Sequence, residues 1–229
     1  EEHYSRHPSF VIPEFRRKEM LSRLKEGLQD VCISRSSLTW GIPLPWDESH
    51  VFYVWVEALL AYLTGSGYRF DEPDSPHFWP AQINLMAKDI PWFHAILFPA
   101  MLMAYGLSPV EHVLVHGYWI FGGEKMSKSK GGRITPEEVV ELVGADGLRY
   151  FFARQIPLGL DGTISIEAIV DRYNFDLGND LGNLFNRLLP LVHRDFGGKI
   201  PKAESEPDAE AKNLSELHKN VSRRAVSLY

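Results

Sequence analysis

A single cysteine, Cys32, stands among 229 residues. That excludes an internal disulfide, and the lack of a second thiolate excludes a cysteine-built zinc knuckle, both in keeping with a reducing compartment. The cytoplasm is the expected location. Long apolar runs are missing as well. The longest, Phe98 to Leu107, is interrupted by Pro99 and Gly106 and reaches about half the ~20 residues of a membrane helix, so no membrane partner is expected. Nor is there an excess of basic residues. A formal net charge of -6 argues against nonspecific coating of nucleic acid, because that affinity comes largely from neutralised phosphates. Phosphate contacts must therefore be local. His112 and His116 are four apart, but they sit in a strand-like run, and no protein-bound metal is expected. The chain has no initiator methionine or signal-like segment at Glu1 and stops at Tyr229 inside a helix-like stretch, so a fragment of something longer is expected.

What is present can bury a substantial core, since 45% of the residues are hydrophobic. Val51 to Val54 reads as a strand feeding a helix through Thr64. Gln82 to Met86 reads as a strand feeding a helix from Pro91 to Tyr105, and His112 to Val115 as a third strand. Such β-α-β-α-β alternation predicts parallel strands with ligands at their carboxyl ends, which selects Trp55, Lys88, Asp89, His116 and Gly117. Thr135-Pro136-Glu137-Glu138 carries an N-cap, a proline at the first helical position and a capping-box glutamate, so a helix starts there. Short helices from Asp146 to Arg154 and from Ser165 to Asp171 complete a unit ending near Tyr173. From Phe175 to Phe196, leucines 177, 181, 184, 188 and 191 recur at helical spacing and predict a stripe buried against other helices. Gly197 to Glu210 reads as a linker before a last amphipathic helix.

"GGEKMSKSKGG", Gly122 to Gly132, concentrates lysines in an otherwise acidic chain, and its glycine pairs at 122-123 and 131-132 suit a backbone that moves and approaches a ligand. A lysine-glycine stretch alone reads as a solvated basic loop. Mobile ammonium groups also suit a polyphosphate, whose departing pyrophosphate gathers negative charge in the transition state. Trp55, Leu59 and Tyr62 share one helical face, and Ile90, His94 and Phe98 share another. On spacing alone both faces are ordinary core.

Lys125-Met126-Ser127-Lys128-Ser129 is similar to the signature loop of class I aminoacyl-tRNA synthetases. Around it, "HVFYVWVEALLAYLTG", "AKDIPWFHAILFPAML", "VHGYWIFGGEKMSKSKG" and "DLGNDLGNLFNRLLPLV" resemble, in order, successive blocks of the methionyl-tRNA synthetase family. The resemblance implies an α/β fold: the second half of a Rossmann-like parallel sheet over residues 1–120, a small connecting domain with the lysine loop over 121–173, and the start of an α-helical anticodon-binding bundle over 174–229. It implies ATP, with Mg2+ accompanying it, and L-methionine as substrates, methionyl-adenylate as intermediate, and tRNA(Met) as acceptor.

By the same resemblance Lys125 and Lys128 stabilise the triphosphate and leaving pyrophosphate, within a nucleotide site of Asp89, His116, Gly117, Met126, Ser127 and Ser129. Asp89 holds the ribose or the substrate's amino group, with Arg35 as a nearby partner. Trp55, Ala58, Leu59, Tyr62, Ile90, Phe93, His94 and Phe98 form or line the methionine pocket, a fitting box for a soft thioether. Asn183 and Arg187, otherwise a solvated helix face, match residues that read the anticodon. Two departures stand out. The family usually has glycine where this chain has Ala87, and a positive φ there would cost alanine about 1 kcal/mol. The second signature of the class, His-Ile-Gly-His or a variant, is absent, so half of the ATP site belongs to a missing amino-terminal half, and the chain by itself is expected to be inactive. A noncatalytic tRNA-binding fragment or paralogue is the alternative reading.

Overall fold

The computed structural model describes residues 1–74, 76–125, 134–200, 202 and 207–227. They divide into two units, Glu1–Val170 and Asp171–Tyr229.

The first unit is built on a parallel sheet of order β1-β6-β5, formed by β1 (Val11–Ile12), β5 (Ile83–Ala87) and β6 (His112–His116). Ile83 pairs with His112 and Ala87 with His116, so the carboxyl ends of β5 and β6 lie side by side. Alternation along β5 buries Asn84 and Met86 on one face and leaves Ile83 40% and Leu85 63% exposed on the other. The buried Asn84 Nδ2 has no hydrogen-bond partner among the described residues. β5 is an edge of this sheet among the described residues.

The expected β-α-β-α-β order fails at its first strand. The run beginning at Val51 lies within β4 (Asp47–Phe52), which pairs antiparallel with β2 (Ser34–Arg35) and β3 (Pro43–Leu44) in a separate sheet. Apolar alternation fixes a strand but not its partner. The third parallel strand is β1, two residues long and too short for any periodicity to announce.

Helix α1 (Glu2–Arg6) leads into β1, and α2 (Glu14–Lys25) follows it. Helix α3 (Val54–Gly65) then follows β4, with Leu59 and Leu63 fully buried. A π-helical turn, Phe93–Leu97, runs directly into α4 (Phe98–Tyr105). The wider turn frees backbone carbonyls from the α ladder, and Tyr4 from α1 donates its hydroxyl to the Ala95 carbonyl at 2.9 Å. Burial pushes the Tyr4 hydroxyl well above its ordinary pKa. The core joins Phe10, Val11, Leu59, Phe98, Val113 and Val115.

A second cluster forms around β7 (Trp119–Phe121), β8 (Glu124–Lys125), α5 (Pro136–Gln155), β9 (Gly162–Thr163) and α6 (Ile166–Arg172), with Val139, Phe151 and Ile169 at its centre. The capping box at Thr135 and Glu138 is formed in both directions. Gly144, at φ 74° and ψ 164°, breaks α5 between the two helices that the sequence suggests. β7 pairs antiparallel with β8 and parallel with β9.

In the second unit a π-helical stretch, Tyr173–Gly182, continues into α7 (Asn183–Phe196), and α8 (Ala209–Ser227) comes last. The leucine stripe was expected to be buried. Instead Leu181, Leu184, Leu188 and Leu191 remain 45%, 60%, 49% and 45% exposed, because no described element of this unit covers that face.

Candidate active site

Trp55, in the first turn of α3, lies flat against Phe93, with ring centroids 4.0 Å apart and planes 6° from parallel. His94 follows Phe93 and is buried. Its ring meets Trp55 edge-on at 5.9 Å and Tyr62 at 5.5 Å, and Tyr62 also contacts Phe98 at 5.9 Å. Both helical faces singled out in the sequence therefore meet. The π-helical turn begins at Phe93, so two consecutive side chains share one wall.

Burial and two hydrogen bonds together define the state of His94. Nδ1–H donates to the Ile90 carbonyl at 3.0 Å, an acceptor only, and Nε2 lies 3.0 Å from the Tyr62 hydroxyl, which donates to it. This is the neutral ring, and burial holds its pKa below the ordinary value of 6.5, partly offset by the bond to Ile90. Leu59 and Phe98 are completely buried and form the floor. Ile90 is half-buried, Ala58 is exposed at the rim, and Tyr62 is 40% exposed. The result is an aromatic cluster whose rings carry no formal charge, a chemistry suited to a soft, polarisable apolar group.

A pH dependence follows from His94. The unfolded chain takes up a proton at His94 below pH 6.5, whereas the folded ring resists it until lower pH. Its contribution to stability is fully present above 6.5 and is lost as pH falls from there toward the folded value. Urea unfolding between about pH 7 and pH 5 should show this loss, and the part due to His94 should vanish in His94→Asn.

The second half of the site lies where β5 and β6 end. Lys88 and Asp89 follow β5. Asp89 is exposed and lines a cleft of about 490 Å³ with Met20, Arg23, Lys88 and Trp92. His116 directs Nδ1 to the Gly117 carbonyl at 2.7 Å. Gly117 is required by packing: a Cβ there would stand 2.0 Å from the Leu160 carbonyl oxygen, so protein backbone occupies that side. No described non-glycine residue has a positive φ, so the strain expected at Ala87 does not arise.

Sequence reasoning missed Asp161. Its carboxylate accepts from the Lys88 ammonium and, through Oδ1, from the Tyr118 N–H at 2.8 Å, and the Lys88 bond holds its pKa below the ordinary carboxylate range. Lys88 also lies 5.1 Å from the centroid of the Tyr118 ring. The only trace in the sequence is Asp161-Gly162, which reads as a turn.

Arg35 on β2 donates to the Cys32 and Ser34 carbonyls, at 3.0 and 2.7 Å, and lies over the Tyr53 ring at 3.8 Å. Tyr53 is the residue before α3, which brings Arg35 toward the Trp55 end of that helix. Gly122 and Gly123, at φ 58° and 84°, do not act as a loose hinge. They close the tight β7–β8 hairpin, a two-residue turn that needs positive φ at both places. Lys125 ends β8, its backbone opposite Ile120. Met126, Ser127, Lys128 and Ser129 lie outside the described residues. In the other unit, Asn183 and Arg187 are exposed one turn apart on α7. Among the described residues no three His, Cys, Asp or Glu side chains are placed to hold a metal ion, and no helix is long and apolar enough to cross a membrane.

The family model described as tRNA synthetases class I (M) matches residues 1–189. The chain belongs to that family. It is 45% identical over 209 residues to a methionine–tRNA ligase of Caldanaerobacter subterraneus subsp. tengcongensis, covering 91% of this chain and 33% of the relative. It is also 45% identical over 225 residues to that of Brucella suis, covering 97% of this chain and 44% of the relative. Mycobacterium tuberculosis methionyl-tRNA synthetase, solved in complex with methionyl-adenylate, superposes with a TM-score of 0.80 at 42% identity over 99% of this chain and 45% of that one. The apo form of that synthetase gives 0.77 at 38%. The chain thus spans a third to less than half of the length of these class I synthetases. Trp55, Phe93, His94, Lys88 and Asp161 all fall inside the stretch that the family model matches.

Proposed function

We propose that this chain supplies the amino-acid pocket and one side of the nucleotide site of a methionine–tRNA ligase. The carboxylate of L-methionine attacks the α-phosphorus of ATP, the bond to the β-phosphate oxygen breaks, and methionyl-adenylate and pyrophosphate result. The methionyl group then passes to the terminal adenosine of tRNA(Met), releasing AMP. Mg2+ arrives with ATP as part of that substrate.

The observation that carries this reading is the aromatic cluster of Trp55, Phe93, His94 and Tyr62. A thioether gains from contact with aromatic edges, and a box without formal charge imposes no desolvation cost on it. Asp89, just beyond β5, holds the ribose or the substrate's amino group in this reading. Lys125 and Lys128 neutralise the leaving pyrophosphate, so the protein mainly positions reactants and stabilises charge. His116 and Gly117, where β6 ends, contribute to the edge of the nucleotide site. The division of labour follows the chain: residues 1–120 activate, 121–173 connect, and 174–229 begin the anticodon bundle, where Asn183 and Arg187 read unstacked bases. An amino-terminal half completes the ATP site.

Pyrophosphate exchange into ATP tests the reading. The full-length protein should exchange when methionine is added, and this chain alone should not. Exchange driven by leucine or valine in place of methionine rejects the pocket assignment. No amino-acid-dependent exchange, together with retained tRNA binding, supports a noncatalytic tRNA-binding protein instead.

A further inference from the structure

We propose that Asp161 is a positioning residue that sets the distance between Asp89 and the β7–β8 hairpin, which ends at Lys125, a role resting on the synthetase reading above. One carboxylate joins two places that the chemistry needs in register. Through Lys88 it holds the end of β5, one residue before Asp89. Through the Tyr118 N–H it holds the root of the β7–β8 hairpin, which starts at Trp119 and runs to Lys125.

The loop carrying Asp161 is itself anchored at successive residues. Arg16 of α2 donates to the Gly159 carbonyl at 2.9 Å. The Leu160 carbonyl fills the space left by the missing side chain of Gly117. The Gly162 N–H donates to the Tyr118 carbonyl at 3.0 Å, and β9 then runs beside β7, with Trp119 opposite Gly162. A loop fixed to this degree transmits the position of Asp161 to both of its partners. Small displacements between groups that act on one substrate have large kinetic effects, whereas a partly exposed ion pair contributes little to stability. Lys88 and Asp161 retain 29% and 36% side-chain exposure, so a purely structural pair and a positioning pair predict different results.

Asp161→Asn keeps an oxygen for the Tyr118 N–H but sets an amide against the Lys88 ammonium. In the full-length protein it should lower kcat of methionine-dependent pyrophosphate exchange about tenfold, leave the KM for methionine within about twofold, and leave the melting midpoint nearly unchanged. Lys88→Met should give a similar loss, and the double variant should be no worse than either single one, since both remove the same link. Unchanged kcat in Asp161→Asn, or a double loss equal to the product of the single losses, overturns the proposal. A matching rise in the KM for methionine also overturns it, because that signals general loosening. Amide hydrogen exchange gives a readout free of catalysis: Asp161→Ala should speed exchange at Tyr118 and over residues 88–90, and unaltered protection in both places overturns the link. An unmodified protein without methionine-dependent exchange defeats the synthetase reading alone, and hydrogen exchange still decides on Asp161.

Discussion

Lys128→Ala in the full-length protein is expected to reduce the rate of methionine-dependent pyrophosphate exchange by about a hundredfold or more, with a much smaller change in the KM for ATP. The asymmetry is the informative part. Ground-state ATP already carries charge that Mg2+ and other cations share, whereas the bond to the α-phosphorus releases further charge onto pyrophosphate only as it breaks. A cation engaged mainly at that moment lowers the barrier without tightening the bound state. Steady-state exchange with varied ATP measures both quantities. A rate within about threefold of the parent, or a loss confined to KM, removes the role assigned to Lys128.

Trp55→Ala should raise the KM for methionine by about a hundredfold and leave the KM for ATP nearly unaltered. Trp55 stacks on Phe93 at 4.0 Å and meets the ring of His94 nearly at right angles. Truncation removes one ring of the cluster and admits water beside His94. Losing an aromatic contact of this kind costs about 2–3 kcal/mol, and each 1.4 kcal/mol is a tenfold change in affinity. Trp55→Phe, which keeps a ring against Phe93, should recover much of the loss. Equal effects of Trp55→Ala on the two substrates would show that the residue supports the fold and not the pocket.

How far the sequence could be read depended on whether the cause was local. The capping box at Thr135 was legible because all its parts lie within four residues, and the structure forms it in both directions. The faces bearing Trp55, Tyr62, His94 and Phe98 were legible as faces, since helical spacing is a local property. That they meet was not, because it depends on packing between α3 and the π-helical turn. The run from Val51 was read correctly as extended at Val51 and Phe52, but Val54 already opens α3, and the strand was wrongly read as parallel, for the partners of Val51, Arg35 and Pro43, are chosen by tertiary contacts. Asp161 was invisible for the same reason. Its two partners lie 73 and 43 residues away, and nothing in Leu160-Asp161-Gly162 announces more than a turn.

The bare flank of β5 has a consequence for the sheet. Leu85 and Ile83 face outward from a strand whose outer backbone groups have no neighbouring strand among the described residues. Unpaired strand edges of this kind can accept another extended chain, so Ile83 to Ala87 is where a further strand would add to the sheet.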